Sequence, residues 1–193
     1  YYVGKDYSLG GITLLCKFDG QRVTMASQIA GADETVSSLY SVKSEQATML
    51  SFDTYNYLVH YFGQPQGSMA DDPNGTLGGD YEFVISDATA DRIELKGKKY
   101  GNRIVMKAFS ADQTWKQYLT RIKKVEDDAF FYEYDLRMDG LYTGQMLRSN
   151  YTFIVTYYDE VGKVHQKTVS FMFTTDGMRF HEPVTIDGQT MQN

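Results

Sequence analysis

The sequence predicts a mainly β domain: an antiparallel lipocalin-like barrel or a closed sandwich, with one α-helix over residues 110–126 packed on it. Three observations carry that expectation. Apolar residues alternate along short segments that Asp-Gly pairs separate. Aromatic residues make up 15% of the chain, with 16 Tyr and 11 Phe against only 3 Pro, and such rings favour pleated, half-buried surfaces. The connections between segments are also too short for the crossovers that parallel strands need.

The elements follow in chain order. Ile12, Leu14, Cys16 and Phe18 recur at period two, Asp19-Gly20 follows, and Val23-Thr24-Met25 returns, which predicts a hairpin. Residues 38–43 and 48–52 read as a second pair. Tyr81, Phe83 and Ile85 share one face of a strand, and 93–98 and 103–107 flank a turn at Tyr100-Gly101-Asn102. Residues 53–62 fit either a helix capped by Asp53 or a strand, because so short a run has no decisive period. Residues 63–79, rich in Gly, Asp, Asn and Ser, predict a long loop. Ser110 with Gln113 forms a capping-box pattern, and Trp115, Tyr118, Leu119 and Ile122 then define the buried stripe of the helix. Strands at 131–138, 141–147, 151–158 and 164–173 complete the reading, with further Asp-Gly turns at 139–140, 176–177 and 187–188. All of it is expected in a single domain, 1–193. The alternative is two β units, 1–109 and 127–193, joined by the helix.

Composition excludes several classes of function. The 19 basic and 25 acidic residues leave a net charge of −6, and phosphate recognition draws on clustered Lys and Arg, so no nucleic-acid partner is expected. Mean hydropathy is −0.42, and no apolar run reaches the roughly 18 residues of a membrane helix. One cysteine, Cys16, excludes an intrachain disulfide; its apolar alternation marks a buried, inert thiol.

Catalytic motifs are missing. His60, His165 and His181 lack metal-ligand spacing, and neither a nucleophile elbow nor a His-Glu-x-x-His helix occurs. No catalytic residue, metal or cofactor is therefore expected. Asp71, Asp72, Asn74 and Asp80 offer oxygen ligands without the spacing of a calcium loop, so solvated carboxylates are the simpler reading. Asn74-Gly75-Thr76 and Asn150-Tyr151-Thr152 match glycosylation sequons. Lys96, Lys98, Lys99 and Arg103 read as guards of an exposed sheet edge. Phe130-Phe131-Tyr132 and Tyr157-Tyr158 put rings on both faces of their strands, which fits burial on both sides or, alternatively, a binding patch.

The segments Leu50-Ser51-Phe52-Asp53-Thr54-Tyr55-Asn56 with His60, Gly79-Asp80-Tyr81-Glu82-Phe83, and Leu95-Lys96-Gly97-Lys98-Lys99 resemble a family of uncharacterised Bacteroidetes lipoproteins carrying a domain of unknown function. The resemblance runs from Phe18-Asp19-Gly20 to Phe173-Thr174-Thr175-Asp176-Gly177. Genes of that family often accompany surface nutrient-uptake systems and zinc metallopeptidases. The resemblance implies an outer-membrane lipoprotein in the cell envelope, periplasmic or surface-exposed, touching the membrane only through a lipid anchor upstream of Tyr1. It carries over no catalytic residue.

These readings combine into an expected non-enzymatic role, binding or accessory, in capture of a glycan, a peptide or an envelope protein partner. The ligand-binding candidates are Tyr55, Tyr57, His60, Tyr61, Tyr81 and Tyr158. The alternatives are a lipocalin-like carrier of a small apolar ligand and, last, a metal-assisted enzyme using His60 and nearby carboxylates.

Overall fold

The computed structural model describes residues 1–44, 46–65, 75–138, 140–159, 161–186 and 188–191. Strands β1 (Tyr2–Val3) and β2 (Gly10–Gly11) flank a 3-10 turn at Lys5–Tyr7. A meander follows: β3 (Leu14–Asp19), β4 (Arg22–Ser27), β5 (Val36–Ser44), β6 (Thr48–Phe52), the short helix α1 (Tyr57–His60), β7 (Glu82–Ala88), β8 (Arg92–Gly97) and β9 (Arg103–Lys107). Helix α2 (Trp115–Asp128) leads to a second meander, β10 (Glu133–Met138), β11 (Leu141–Ser149), β12 (Thr152–Tyr158) and β13 (Val164–Phe173). Then come β14 (Met178–Phe180), β15 (Val184–Ile186) and β16 (Gln189–Met191).

The main sheet runs β10-β11-β12-β13-β2-β1-β9-β8-β7-β6-β5-β4-β3, with β14 added to β13; β15 and β16 form a separate pair. Strands within each meander are antiparallel, as the short connections require. Among the described residues, the one parallel bridge joins Met172 of β13 to Gly11 of β2. The expected closed barrel is not formed. Strand β9 takes β1 as its next neighbour and β13 takes β2, so the sheet passes into the second meander instead of returning to β3. The open sheet is consistent with a sandwich.

Two cores result. Val23 and Met25 of β4, Leu50 and Phe52 of β6, Phe83 of β7 and Leu95 of β8 point into the first. The second holds Phe153, Val155, Val169, Phe171 and Phe173 together with Ile122 of α2. Full burial of each large side chain contributes roughly 1.5–3 kcal/mol. The seam demands glycine twice. A Cβ on Gly10 (φ +73°) would strike the Tyr151 backbone, and one on Gly11 would lie 2.8 Å from the Tyr2 ring and 2.9 Å from Met172 Cβ.

The predicted apolar stripe of α2 is present, with Leu119 and Ile122 fully buried. Its start is corrected. Thr114, not Ser110, is the N-cap, and its hydroxyl accepts the Gln117 N–H in a capping box. Both sequences fit the pattern; because the apolar stripe begins at Trp115, a helix started earlier would bury nothing more.

Two surface expectations also change. Strand β8 lies between β7 and β9, so Lys96 and its neighbours guard no edge. Lys98 instead pairs with Glu82 at 3.2 Å, while Glu94 is shared by Arg92 at 2.6 Å and Arg103 at 3.4 Å. Burial on both faces fails for Phe130, Phe131 and Tyr132, which are exposed, and for Tyr158. Asn150 occupies the β11–β12 turn at φ +51°, a conformation asparagine tolerates. The acidic stretch Asp71, Asp72, Pro73 and Asn74 lies outside the described residues.

Candidate functional site

Residues 53–62 resolve into a turn and a single helical turn. Asn56, rather than Asp53, caps α1: its side-chain oxygen accepts the Leu58 N–H at 3.1 Å. Its amide donates to Ser38 Oγ at 3.2 Å and contacts Met25 Sδ at 3.3 Å, so the cap is also bolted to the first core. Leu58 and Val59 fill that core. The remaining side of the turn is left to face water.

That side carries the candidate residues. His60 stacks on Tyr81, with ring centroids 4.8 Å apart and planes at 17°. Tyr55 meets the same imidazole at 5.6 Å and 41°. Tyr55 is 60% and Tyr81 43% exposed, so the three rings form a continuous surface open to solvent. The Tyr55 hydroxyl donates to Gln64 Oε1 at 3.0 Å, placing an amide at the margin of the rings. Tyr61 is exposed beside them in sequence, its ring edge-on to Phe62 at 5.5 Å.

Electrostatics suit a neutral surface. His60 Nδ1 lies 3.2 Å from the Asn56 nitrogen and 3.1 Å from the Asn56 carbonyl oxygen, so it accepts from the one or donates to the other according to its tautomer. Burial lowers the histidine's pKa below its ordinary value, and contacts with backbone groups oppose this. The imidazole is therefore uncharged at neutral pH.

Tyr81 is held in place from beneath by Asp80. That carboxylate is buried and accepts the main-chain N–H groups of Lys99 at 2.8 Å, Tyr100 at 3.1 Å and Asn102 at 3.1 Å. Its own backbone N–H and C=O meet the Tyr1 hydroxyl at 3.0 and 2.8 Å. Asp80 is thus a structural acceptor that ties the β8–β9 turn to the entry of β7. Gly63 lets the chain pass: a Cβ there would lie 2.8 Å from Gly79 O and 3.2 Å from the Tyr81 ring.

Of the six residues chosen from the sequence, the structure brings together Tyr55, His60 and Tyr81, with Tyr61 next along the chain. Tyr57 is tied elsewhere, donating to Glu34 at 2.5 Å; that carboxylate pushes the phenol up to about 12. Tyr158 sits on β12 in the other meander, beside the Tyr157–His165 stack, and does not join the cluster. Gln64 was missed, since an amide in a polar loop gives no periodic signal. No group of three or more His, Cys, Asp or Glu side chains able to hold a metal occurs among the described residues. Cys16 is half-buried on β3, and burial pushes its thiol up to about 12, which makes it a poor nucleophile.

None of the curated proteins and none of the solved structures matches this sequence. The family model described as a domain of unknown function, DUF4302, matches residues 1–193, and the chain belongs to that family.

Proposed function

We propose that this chain is a non-enzymatic binding module that captures glycan on the Tyr55–His60–Tyr81 surface as part of nutrient uptake at the cell envelope. The observation that carries the reading is the row of solvent-open rings built around the 4.8 Å His60–Tyr81 stack. The C–H faces of a sugar ring are apolar and pack on aromatic faces, while its hydroxyls need polar groups at the rim. Gln64 supplies such a group beside Tyr55. A neutral imidazole lets the platform stack without holding a charge against the sugar. Attachment to the envelope through a lipid anchor upstream of Tyr1 belongs to the same reading, supported by the likeness to Bacteroidetes lipoproteins described above.

A glycan array followed by equilibrium titration of the best hit tests the proposal. Tyr55→Ala and Tyr81→Ala are each expected to weaken binding at least about tenfold, a loss of about 1.4 kcal/mol. Equal affinity in both variants, with the fold intact, would remove the site. A peptide hit on the same residues would keep the surface and change the ligand.

A further inference from the structure

The two strand edges left open in the first meander face each other. Among the described residues, strand β3 pairs only with β4, and β9 pairs with β8 and, through the single bridge Tyr2↔Arg103, with β1. Between them opens a groove of about 840 Å³ whose walls include Leu14, Cys16 and Phe18 on one side and Val105 and Lys107 on the other.

Main-chain direction can be assigned on both walls. The Ile12 N–H donates to Tyr1 O, and the Thr13 N–H donates to Gln28 on the far side. Alternation then turns the main-chain groups of Leu14, Cys16 and Phe18 toward the groove. On the opposite wall, Asn102 O accepts from Gly97, toward β8. The groups of Arg103, Val105 and Lys107 therefore turn away from β8, and the Tyr2↔Arg103 bridge uses the first of them. Among the described residues, two rows of peptide groups without a strand partner beyond Arg103 thus line one slot, an arrangement that sheets ordinarily avoid.

At the level of Tyr2 and Val3 that slot is already filled by one strand. β1 lies between β2 and β9 and is antiparallel to both. Its amino end, Tyr1, points along the groove, and the Tyr1 nitrogen donates to Ile12 O at 2.8 Å. We propose that the residues joined to the amino side of Tyr1 in the natural chain continue β1 through this groove as a strand paired to both β3 and β9.

The existing ladders fix the register. Counting back from Tyr2↔Arg103 and from the Tyr1–Ile12 pair, the residue before Tyr1 faces Val105. The second before faces Leu14, the third Lys107 and the fourth Cys16. The occupant is argued from continuity, since the ladder that β1 begins is the same one the groove leaves unfinished. The outcome would be that β3 and β9 become interior strands and that the segment leading into the domain is locked against it.

Amide hydrogen exchange tests this on two chains: one starting at Tyr1, the other carrying the residues that precede it naturally. The proposal predicts that Leu14, Cys16, Phe18, Val105 and Lys107 exchange at least about tenfold more slowly in the longer chain. Equal rates in the two chains would overturn it. So would protection that grows with protein concentration or appears only with a separate peptide, because the partner would then be another molecule. A native protein found to begin at Tyr1 would also overturn it. A cysteine placed four residues before Tyr1 gives an independent check. It should oxidise to a disulfide with Cys16, whereas cross-linking only from the fifth position would contradict the register.

Discussion

The two meanders solve the same problem with different chemistry. The first buries polar groups throughout its interior: Ser38, Ser51, Asn56, Thr76, Asp80 and Asn102 are all inaccessible. Each of Asn56, Asp80 and Asn102 is saturated by hydrogen bonds from more than one element. The second is held by rings. Phe153 stacks on Phe171 at 4.6 Å, Phe171 meets Phe173 edge-on at 5.4 Å, and Tyr151 closes on Phe173 at 5.6 Å. Hydrogen bonds fix direction, whereas apolar packing fixes volume. The meander that must hold a turn and an imidazole at defined positions is the one that invests in directional contacts.

That contrast can be broken at either end, and the largest effect belongs to the second core. Phe171→Ala removes a fully buried ring at the centre of the aromatic stack and should cost about 3–5 kcal/mol. Chemical denaturation should show the loss, with the stacking of Tyr81 on His60 unaltered in the folded protein. Asp80→Asn is the matching change in the first meander. It sets an amide donor against main-chain N–H groups that now meet a carboxylate and should cost about 2–3 kcal/mol. It should also loosen the turn at 99–102 and weaken glycan binding, a combination that Phe171→Ala should not produce. If both variants lose stability equally and neither affects the surface, the contrast is empty.

Smaller changes sharpen the account. Thr114→Ala removes the cap of α2 and should cost about 1 kcal/mol, while Ser110→Ala should leave stability unchanged. The histidines give the smallest effect. His60 and His181 both have lowered pKa values, chiefly through burial, so the unfolded chain binds protons more readily than the folded one. Their contribution is complete above the ordinary histidine value of 6.5 and is lost as pH falls through the folded values. The melting temperature should therefore drop between about pH 7.5 and about pH 5.5, and His60→Gln should reduce that drop.

Legibility in the sequence followed the range of the forces. Strands β4, β6, β9 and β13 were readable because alternation is local, as in Val23 and Met25, and the hairpin at Asp19-Gly20 because its turn chemistry is local too. Strands β1 and β2 have two residues each and carry no period. The start of α2 was misplaced by one turn because Ser110 and Thr114 present the same capping pattern. Of the site, the residue types were readable but not their neighbours. Tyr81 reaches His60 only because Asp80 accepts N–H groups 19 to 22 positions further on. Tyr158 looked equivalent as a residue, yet its strand belongs to the other meander.

The central claim is that ligand recognition belongs to the first meander, at its ring surface. A heteronuclear NMR titration with the best-binding glycan tests it most directly. The account predicts shifts that saturate together at Tyr55, His60, Gln64 and Tyr81, with Tyr158 and the exposed Phe130–Tyr132 segment unmoved. Shifts centred on β12 or on that segment, with the Tyr55–His60–Tyr81 signals unchanged, would contradict it.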